Sequence, residues 1–419
     1  DKIAYAKKRW GTTIYYLDSN VFGNDWLKLP PNANIPWVMP TNMLAELHRR
    51  HPDCLVIPEW SNVSDFTVSA PYSSPNLRQG GTHPLIRAIW PEAFRAIALS
   101  PGLMQNHYDD FLRSVRGGDV LMFTCWYPSP DMAWTQLVSS EAALQRASEG
   151  KTIATSEDPV AMATSTDPVR RYALARALQD RSPDAPGRTA ASILIGDSEW
   201  PIRRRALASL TKLEPGKDPV LIQRLAGWIE KPADPAQRLL RGFAADALAA
   251  GGDEAVPKLL EILRKPSVEP KAIALAALGK TGTRMQQAQT VVTEMLIKSQ
   301  DPKEPGNLLQ PLVKTAGLIG AKESVPTLIG MLNAEQKNQE LREETIVALG
   351  KLSDPRAVDA LMAEWAYPYG GITSWTIWKS LDTALRSVTG ETAIQGRVAW
   401  RAWYEKRQTA ATAPATPSN

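Results

Sequence analysis

The chain is expected to be α/β plus all-α, with strands alternating with helices over residues 1–150 and an array of paired helices beyond them. Three observations point there. At 419 residues the chain exceeds one ordinary compact core, which favours two domains or a domain plus a repeat array. Up to about Gly150, short runs rich in β-branched and aromatic residues alternate with amphipathic runs, the pattern of a parallel sheet with crossover helices. Beyond Lys151 the strand-like runs stop, and a helical pattern returns at intervals of roughly 30 to 40 residues.

The first run, "DKIAYAKKRWG", reads as a helix and lacks an initiator Met, so the chain is expected to be processed or cut from a longer polypeptide. "TTIYYLD" then reads as a strand, "TNMLAELHRRHP" as a helix and "CLVIPEW" as a second strand. A connection from Trp60 to Glu92 follows, containing "APYSSPNLRQGGTHP"; loops this long are mostly functional or disordered. "FRAIALSP" and "DVLMFTCWY" are the third and fourth strands, with helices "LMQNHYDDFLRSVRGG" and "MAWTQLVSSEAALQRASEG" after them. The strand runs are apolar on both faces, as parallel strands covered on both sides require.

The second half repeats a short theme: "DPVRRYALARAL", "WPIRRRALASL", "LLRGFAADALAAGG", "EPKAIALAALGKTG", "LVKTAGLIGAKES" and "LREETIVALGKLSDPRAV". Each has apolar or small residues at helical spacing, an Ala-Leu or similar pair near its end, and a Gly, Pro or Asp-Pro that reads as a stop. A basic residue recurs about two turns before the Leu of that pair, at Arg171, Arg203, Arg241, Lys271 and Arg342. Stacking would align these five as a ladder facing a partner, or they are solvated residues on amphipathic helices. In the fifth unit Pro311 occupies the basic position, with Lys314 offset from it.

This half resembles the HEAT-repeat proteins, whose antiparallel helix pairs stack into a curved α-solenoid, and the resemblance covers about Ser156 to Leu385. No such pair buries its apolar stripe alone, so each repeat is stabilised by its neighbours. The resemblance implies a protein partner on the concave face. The expected organisation is thus a first domain over 1–150, HEAT-like repeats over 151–390, an aromatic C-terminal cap over 391–408 and a disordered tail over 409–419. Trp375, Trp378, Trp400, Trp403 and Tyr404 crowd the end of the array as a terminal cap or an aromatic ligand platform.

Bulk composition excludes several classes. Forty-eight Lys and Arg against forty-four Asp and Glu leave a formal charge of +4. With no basic run interleaved with aromatics, nucleic acid is not an expected partner. No apolar stretch approaches the roughly 20 residues a membrane span needs. The two cysteines, Cys54 and Cys125, sit in apolar runs and read as small buried hydrophobes. His48 and His51 share one helix end without a third metal ligand nearby, so no metal is expected. There is no Walker loop, no G-x-S-x-G elbow and no paired CxxC, and no cofactor is expected.

Chemistry, if present, is expected at the strand ends of the first half. Asp18 and Glu59 terminate consecutive strands, and in a (β/α) barrel such ends ring one pocket. Two facing carboxylates are what glycoside hydrolysis requires, about 5 Å apart when one attacks the anomeric carbon and further apart when water does. Each acid is alternatively the polar stop of its strand. Trp60, Trp126 and Tyr127 stand where aromatic rings stack on sugars, or they pack in the core, and Arg78 in "NLRQGG" would hold an anion or a sugar hydroxyl. The motif Tyr15-Tyr16-Leu17-Asp18-Ser19-Asn20 is similar to the nucleophile strand of TIM-barrel glycoside hydrolases of the broad α-galactosidase type. That resemblance implies a partial (β/α) barrel-like domain, with Asp18 as nucleophile and Asn20 as a second polar group beside it. A barrel takes about 250 residues and eight strands, so the remaining strands are expected upstream, from a partner, or lost.

Two functions follow from different classes. One is a protein-interaction scaffold carrying a partial glycoside hydrolase-like domain. The other is a retaining glycoside hydrolase using Asp18 and Glu59, with a carbohydrate as ligand and the repeats as a docking arm. The sugar resemblance implies an extracytoplasmic location.

Overall fold

The computed structural model describes residues 2–17, 21–22, 37–38, 41–58, 63–73, 84–99, 101–123, 131–150, 157–181, 184–232, 235–300, 308–333, 338–367 and 373–412, and these are predominantly helical. The chain divides into two compact units, residues 1–177 with 193–205 and residues 178–192 with 206–419. The expected boundary near residue 150 therefore falls inside the first unit, which includes the first helical repeat.

In the first unit, α1 (Lys2–Trp10) leads into β1 (Ile14–Leu17), followed by β2 (Val21–Phe22), β3 (Trp37–Val38), α2 (Thr41–Arg50) and β4 (Leu55–Pro58). Next come β5 (Tyr72–Ser73), α3 (Pro84–Ile89), β6 (Ala96–Leu99), α4 (Pro101–Arg116), β7 (Val120–Phe123), α5 (Asp131–Ala147), α6 (Pro159–Ala163) and α7 (Pro168–Ala177). The four strand-like runs of the sequence correspond to β1, β4, β6 and β7. β1 runs parallel to β4, with Leu17 opposite Pro58, and β5, β6 and β7 form a parallel sheet in that order. The Ala70 amide donates to the Val56 carbonyl at 3.0 Å and the Ala96 amide to the Pro71 carbonyl at 3.1 Å. The segment before β5 thus links β4 to β6 through backbone hydrogen bonds. β2 and β3 form a separate antiparallel pair.

One expectation fails here. β1 is not buried on both faces: Ile14 is 61% and Tyr16 41% exposed, while the alternate residues Tyr15 and Leu17 are half-buried. Among the described residues β1 has a strand neighbour on one side only, so its β-branched and aromatic content reflects strand propensity rather than burial. The core lies instead under β4 and β6 and between α4 and α5, where Val56, Ile57, Ile97, Phe111, Leu137 and Val138 are buried.

The second unit starts at Leu178, ahead of α8 (Ala185–Leu194), breaks off after Ser192 within that helix and resumes within α9 (Trp200–Leu210). It continues through α10 (Pro219–Glu230), α11 (Pro235–Ala249), α12 (Val256–Leu263), α13 (Val268–Thr281), α14 (Gln286–Lys298), α15 (Leu309–Ile319), α16 (Val325–Asn333), α17 (Gln339–Leu352), α18 (Val358–Glu364), α19 (Thr373–Thr389) and α20 (Gly396–Thr412). Neighbours pair as α10 with α11, α12 with α13, α14 with α15, α16 with α17 and α18 with α19. The later helix of each pair packs on the later helix of the next, so α11, α13, α15, α17 and α19 make one continuous layer. The helix α20 extends through Thr412, into the stretch expected to form a disordered tail; residues 413–419 lie outside the described residues.

The Ala-Leu-Gly theme is the seam of that layer. A Cβ on Gly279 would sit 2.8 Å from Leu318 Cδ1, one on Gly317 2.8 Å from Ala348 Cα, and one on Gly350 2.8 Å from Ala384 Cα. The last two meet backbone atoms, so α15 and α17, and α17 and α19, touch there only because a side chain is missing; at Gly279 the neighbour is the movable tip of Leu318. Gly282 and Gly320 end α13 and α15 in the left-handed region, at φ of 66° and 74°, which glycine adopts without strain.

Asp-Pro proves to be a start signal. The Asp158 carboxylate accepts from the Val160 and Ala161 amides, Asp167 from Val169, Asp218 from Val220 and Leu221, and Asp354 from Arg356. The aspartate caps the exposed amides of the first turn, while the proline fills a position whose amide needs no partner. The stop reading fails because capping and termination use the same residue types, and only the side of the helix they fall on separates them.

Candidate functional site

The residues expected to carry sugar chemistry, Asp18, Glu59, Asn20, Trp60, Arg78, Trp126 and Tyr127, all lie outside the described residues. The described strands stop just before two of them, β1 at Leu17 and β4 at Pro58, which are paired.

The basic register is described almost completely, and its contacts are internal. Arg171 donates to the Ser165 carbonyl just beyond α6 at 2.8 Å, and to both oxygens of Asp197 at 2.6 and 3.0 Å. Arg203 donates to the Asp197 carbonyl, three residues past α8. Arg241 donates to the Ile229 carbonyl at the end of α10 at 2.8 Å and pairs with Glu269 at 2.7 Å. Arg342 donates to the Leu332 carbonyl at the end of α16 at 2.9 Å, pairs with buried Glu364, and lies 3.9 Å from the Tyr367 ring centroid. In all four the guanidinium satisfies a carbonyl at or just past the end of an earlier helix, a group the helix itself leaves without a donor. Lys271, shorter and with one cationic nitrogen, makes no side-chain hydrogen bond or ion pair among the described residues. The two-turn spacing is therefore explained by reach: it brings a long side chain level with the end of the preceding helix.

A second concentration of charge lies in the first unit and was not singled out in the sequence. Glu141 on α5 is fully buried. Its carboxylate accepts from the Tyr108 hydroxyl at 2.8 Å, the Tyr172 hydroxyl at 3.1 Å, Arg204 Nη2 at 2.8 Å and Arg205 Nη2 at 2.7 Å. Arg204, itself 1% exposed, lies 4.1 Å from the Tyr108 ring centroid and reaches Asp109 at 2.9 Å. Burial pushes the Glu141 carboxyl up, and the charges of Arg204 and Arg205 more than offset it, so its pKa ends below the usual carboxylate range. Burial, and then the Glu141 charge, push the Tyr108 and Tyr172 hydroxyls well above their ordinary value. The cluster is saturated: each Glu141 oxygen accepts several donors and the tyrosines remain protonated at neutral pH. It has no free base and no open position for a reacting atom. Three consecutive arginines, 203 to 205, were its sequence signal, because 100° per residue spreads them over more than half the helix circumference.

At the end of the second unit the aromatic residues divide between two roles. Trp400 is completely buried, donates its indole N–H to Asp382 at 2.8 Å, and meets Trp403 edge-on at 5.5 Å. Tyr404 donates to Asp359 at 2.9 Å. These residues fasten α20 to the array as a cap. Trp378 instead is 39% exposed and lines a cavity of about 490 Å³ with Trp365, Lys379, Asp382, Gly396 and Arg397. The side chain of Trp375 lies outside the described residues.

Asp382 is committed within this site: it accepts from the Gly396 amide at 2.9 Å, from Trp400 and from Arg386. Burial raises its carboxyl, and these hydrogen bonds outweigh burial and hold its pKa below the ordinary value. Trp365 is buried, and its indole N–H has no acceptor among the described residues. An adjoining cavity of about 290 Å³ between α17 and α19 shares Lys379 and adds Lys351, Ser380 and Thr383. Among the described residues no group of three or more His, Cys, Asp or Glu side chains is placed to hold a metal ion, and no helix is long and apolar enough to cross a membrane.

Set against models of known protein families the chain matches none, and no curated protein matches it either.

Proposed function

We propose that this chain is a protein-interaction scaffold in which a HEAT-like helical array follows a partial (β/α) barrel-like domain. The observation that carries this reading is the continuous layer α11–α13–α15–α17–α19, joined by the contacts of Gly279, Gly317 and Gly350. Arrays of this type are stabilised by neighbour contacts and offer extended surfaces for binding. The inward-facing arginines serve the fold, so partner recognition rests on the exposed residues of the layer. A photo-crosslinking residue placed in the full chain at Lys314 or Lys351 tests it in cells producing the protein. Discrete protein adducts at these sites, absent at Lys8 on α1, are expected. Equal labelling at all three sites would remove the scaffold reading.

A retaining glycoside hydrolase using Asp18 and Glu59 is the second reading. It is favoured by the parallel strands of the first unit, in which β1 pairs with β4, β5, β6 and β7 neighbour one another in chain order, and Ala70 just before β5 bonds to Val56 of β4. Barrels have this order, whereas doubly wound sheets reverse it. Under this reading Asp18→Asn abolishes glycosidase turnover at unchanged thermal stability. Turnover that survives the substitution excludes Asp18 as nucleophile.

A further inference from the structure

We propose that the cavity at the end of the array is a docking site for an acidic peptide segment carrying an apolar or aromatic side chain, donated by a protein partner. This rests on the scaffold reading and specifies where and what it binds. The argument is one of charge and saturation. Lys379 and Arg397 line the cavity and have no carboxylate partner among the described residues, and the neighbouring groove adds Lys351 in the same state. The lining carboxylate, Asp382, is already engaged by Arg386, Trp400 and the Gly396 amide. The cavity wall is therefore net cationic, and the first residues of α20 add the positive end of a long helix.

The aromatic wall defines the rest of the ligand. Trp365 and exposed Trp378 supply an apolar surface for a side chain or peptide plane. A neutral sugar would use the aromatic surface and leave both cations unmatched. An extended acidic peptide matches both, and the adjoining groove, floored by Val347, Gly350 and Ala384 and edged by Lys351, lets it continue past Lys379.

The test is fluorescence polarisation on the full chain with a short fluorescein-labelled peptide of alternating glutamate and phenylalanine, beside its lysine-phenylalanine counterpart. The acidic peptide is expected to bind, more weakly as salt rises, and the lysine peptide not to bind. The double charge reversal Lys379→Glu with Arg397→Glu is expected to weaken binding about 10-fold or more. Trp378→Ala, at a partly exposed position, is expected to weaken it about 5-fold at unchanged melting temperature, and Arg264→Glu, a cation elsewhere on the array, leaves it unchanged. Equal binding of the two peptides, or affinity indifferent to the double reversal, overturns the proposal. So does competition by a uronic acid oligomer in place of the peptide, which makes the ligand an anionic sugar. If protein adducts at Lys314 and Lys351 persist while the acidic peptide fails, the pocket assignment alone falls; if both fail, the scaffold reading falls with it.

Discussion

The two units manage charge in opposite ways. The first gathers it: one buried carboxylate, Glu141, draws two arginines and two tyrosine hydroxyls into a single saturated knot. The second spreads it, with Arg241 and Arg342 at two separate helix ends, and leaves its tightest interior contacts to glycine and alanine. A buried ion cluster is expensive to desolvate and catastrophic to unbalance. A seam of small residues costs little to build and fails only when something is added to it. The same chain thus contains a unit vulnerable to deletion and a unit vulnerable to insertion.

The largest expected effect tests the first vulnerability. Glu141→Gln leaves Arg204 and Arg205 buried beside a neutral group and is expected to cost about 3–5 kcal/mol, read as a shift in the urea midpoint. A loss under about 1 kcal/mol would mean that the knot is solvated and the contrast is wrong. The same cluster predicts a pH window. The Glu141 pKa is lower folded than unfolded, so its contribution is complete above the unfolded value near 4.3 and is lost as pH falls through the lower folded value. The Tyr108 pKa is raised on folding, so its contribution is complete below about pH 10 and lost as pH rises toward the folded value. Stability measured by urea unfolding across pH should fall at both ends, and Glu141→Gln should flatten the acid side.

The second vulnerability is smaller and has a sign. Gly350→Val drives a side chain into the Ala384 backbone and is expected to cost about 1–3 kcal/mol by overpacking. Gly330→Ala, on α16 where an added Cβ meets nothing within 4 Å, should stabilise by up to about 1 kcal/mol through helix propensity. If both substitutions move the melting temperature in the same direction, the seam does not set the spacing of the layer. The smallest effect belongs to the caps: Asp218→Ala removes the acceptor of two α10 amides and should cost about 1 kcal/mol, with Asp218→Asn recovering most of it.

Legibility followed the range of the physics. The runs at Ile14–Leu17, Leu55–Pro58, Ala96–Leu99 and Val120–Phe123 were readable because strand propensity is a property of a few adjacent residues. The helical repeats were readable because their period recurs. The burial of β1 on both faces was not legible, since how far Ile14 and Tyr16 are covered depends on chain elsewhere. Asp-Pro was misread because a capping residue looks the same at either end of a connection. The basic register was visible, but its purpose depended on carbonyls 6 to 12 residues earlier. The terminal cavity could not have been read at all: Trp365, Lys379 and Arg397 come from three separate elements, and no local pattern relates them. The acids at Asp18 and Glu59 stay where the sequence put them, as strand-end candidates outside the described residues.

The Arg342 contacts have a kinetic consequence. Its guanidinium reaches back to the end of α16 and across to Glu364 at the end of α18, so it is satisfied only while both helix ends are in place. Opening either end strands the same charge, which adds an electrostatic coupling to the direct packing of α16 on α18. Amide exchange in the last turns of α16 and α18 should then proceed at a shared rate, as one cooperative opening, and truncating that single arginine should speed exchange at both ends.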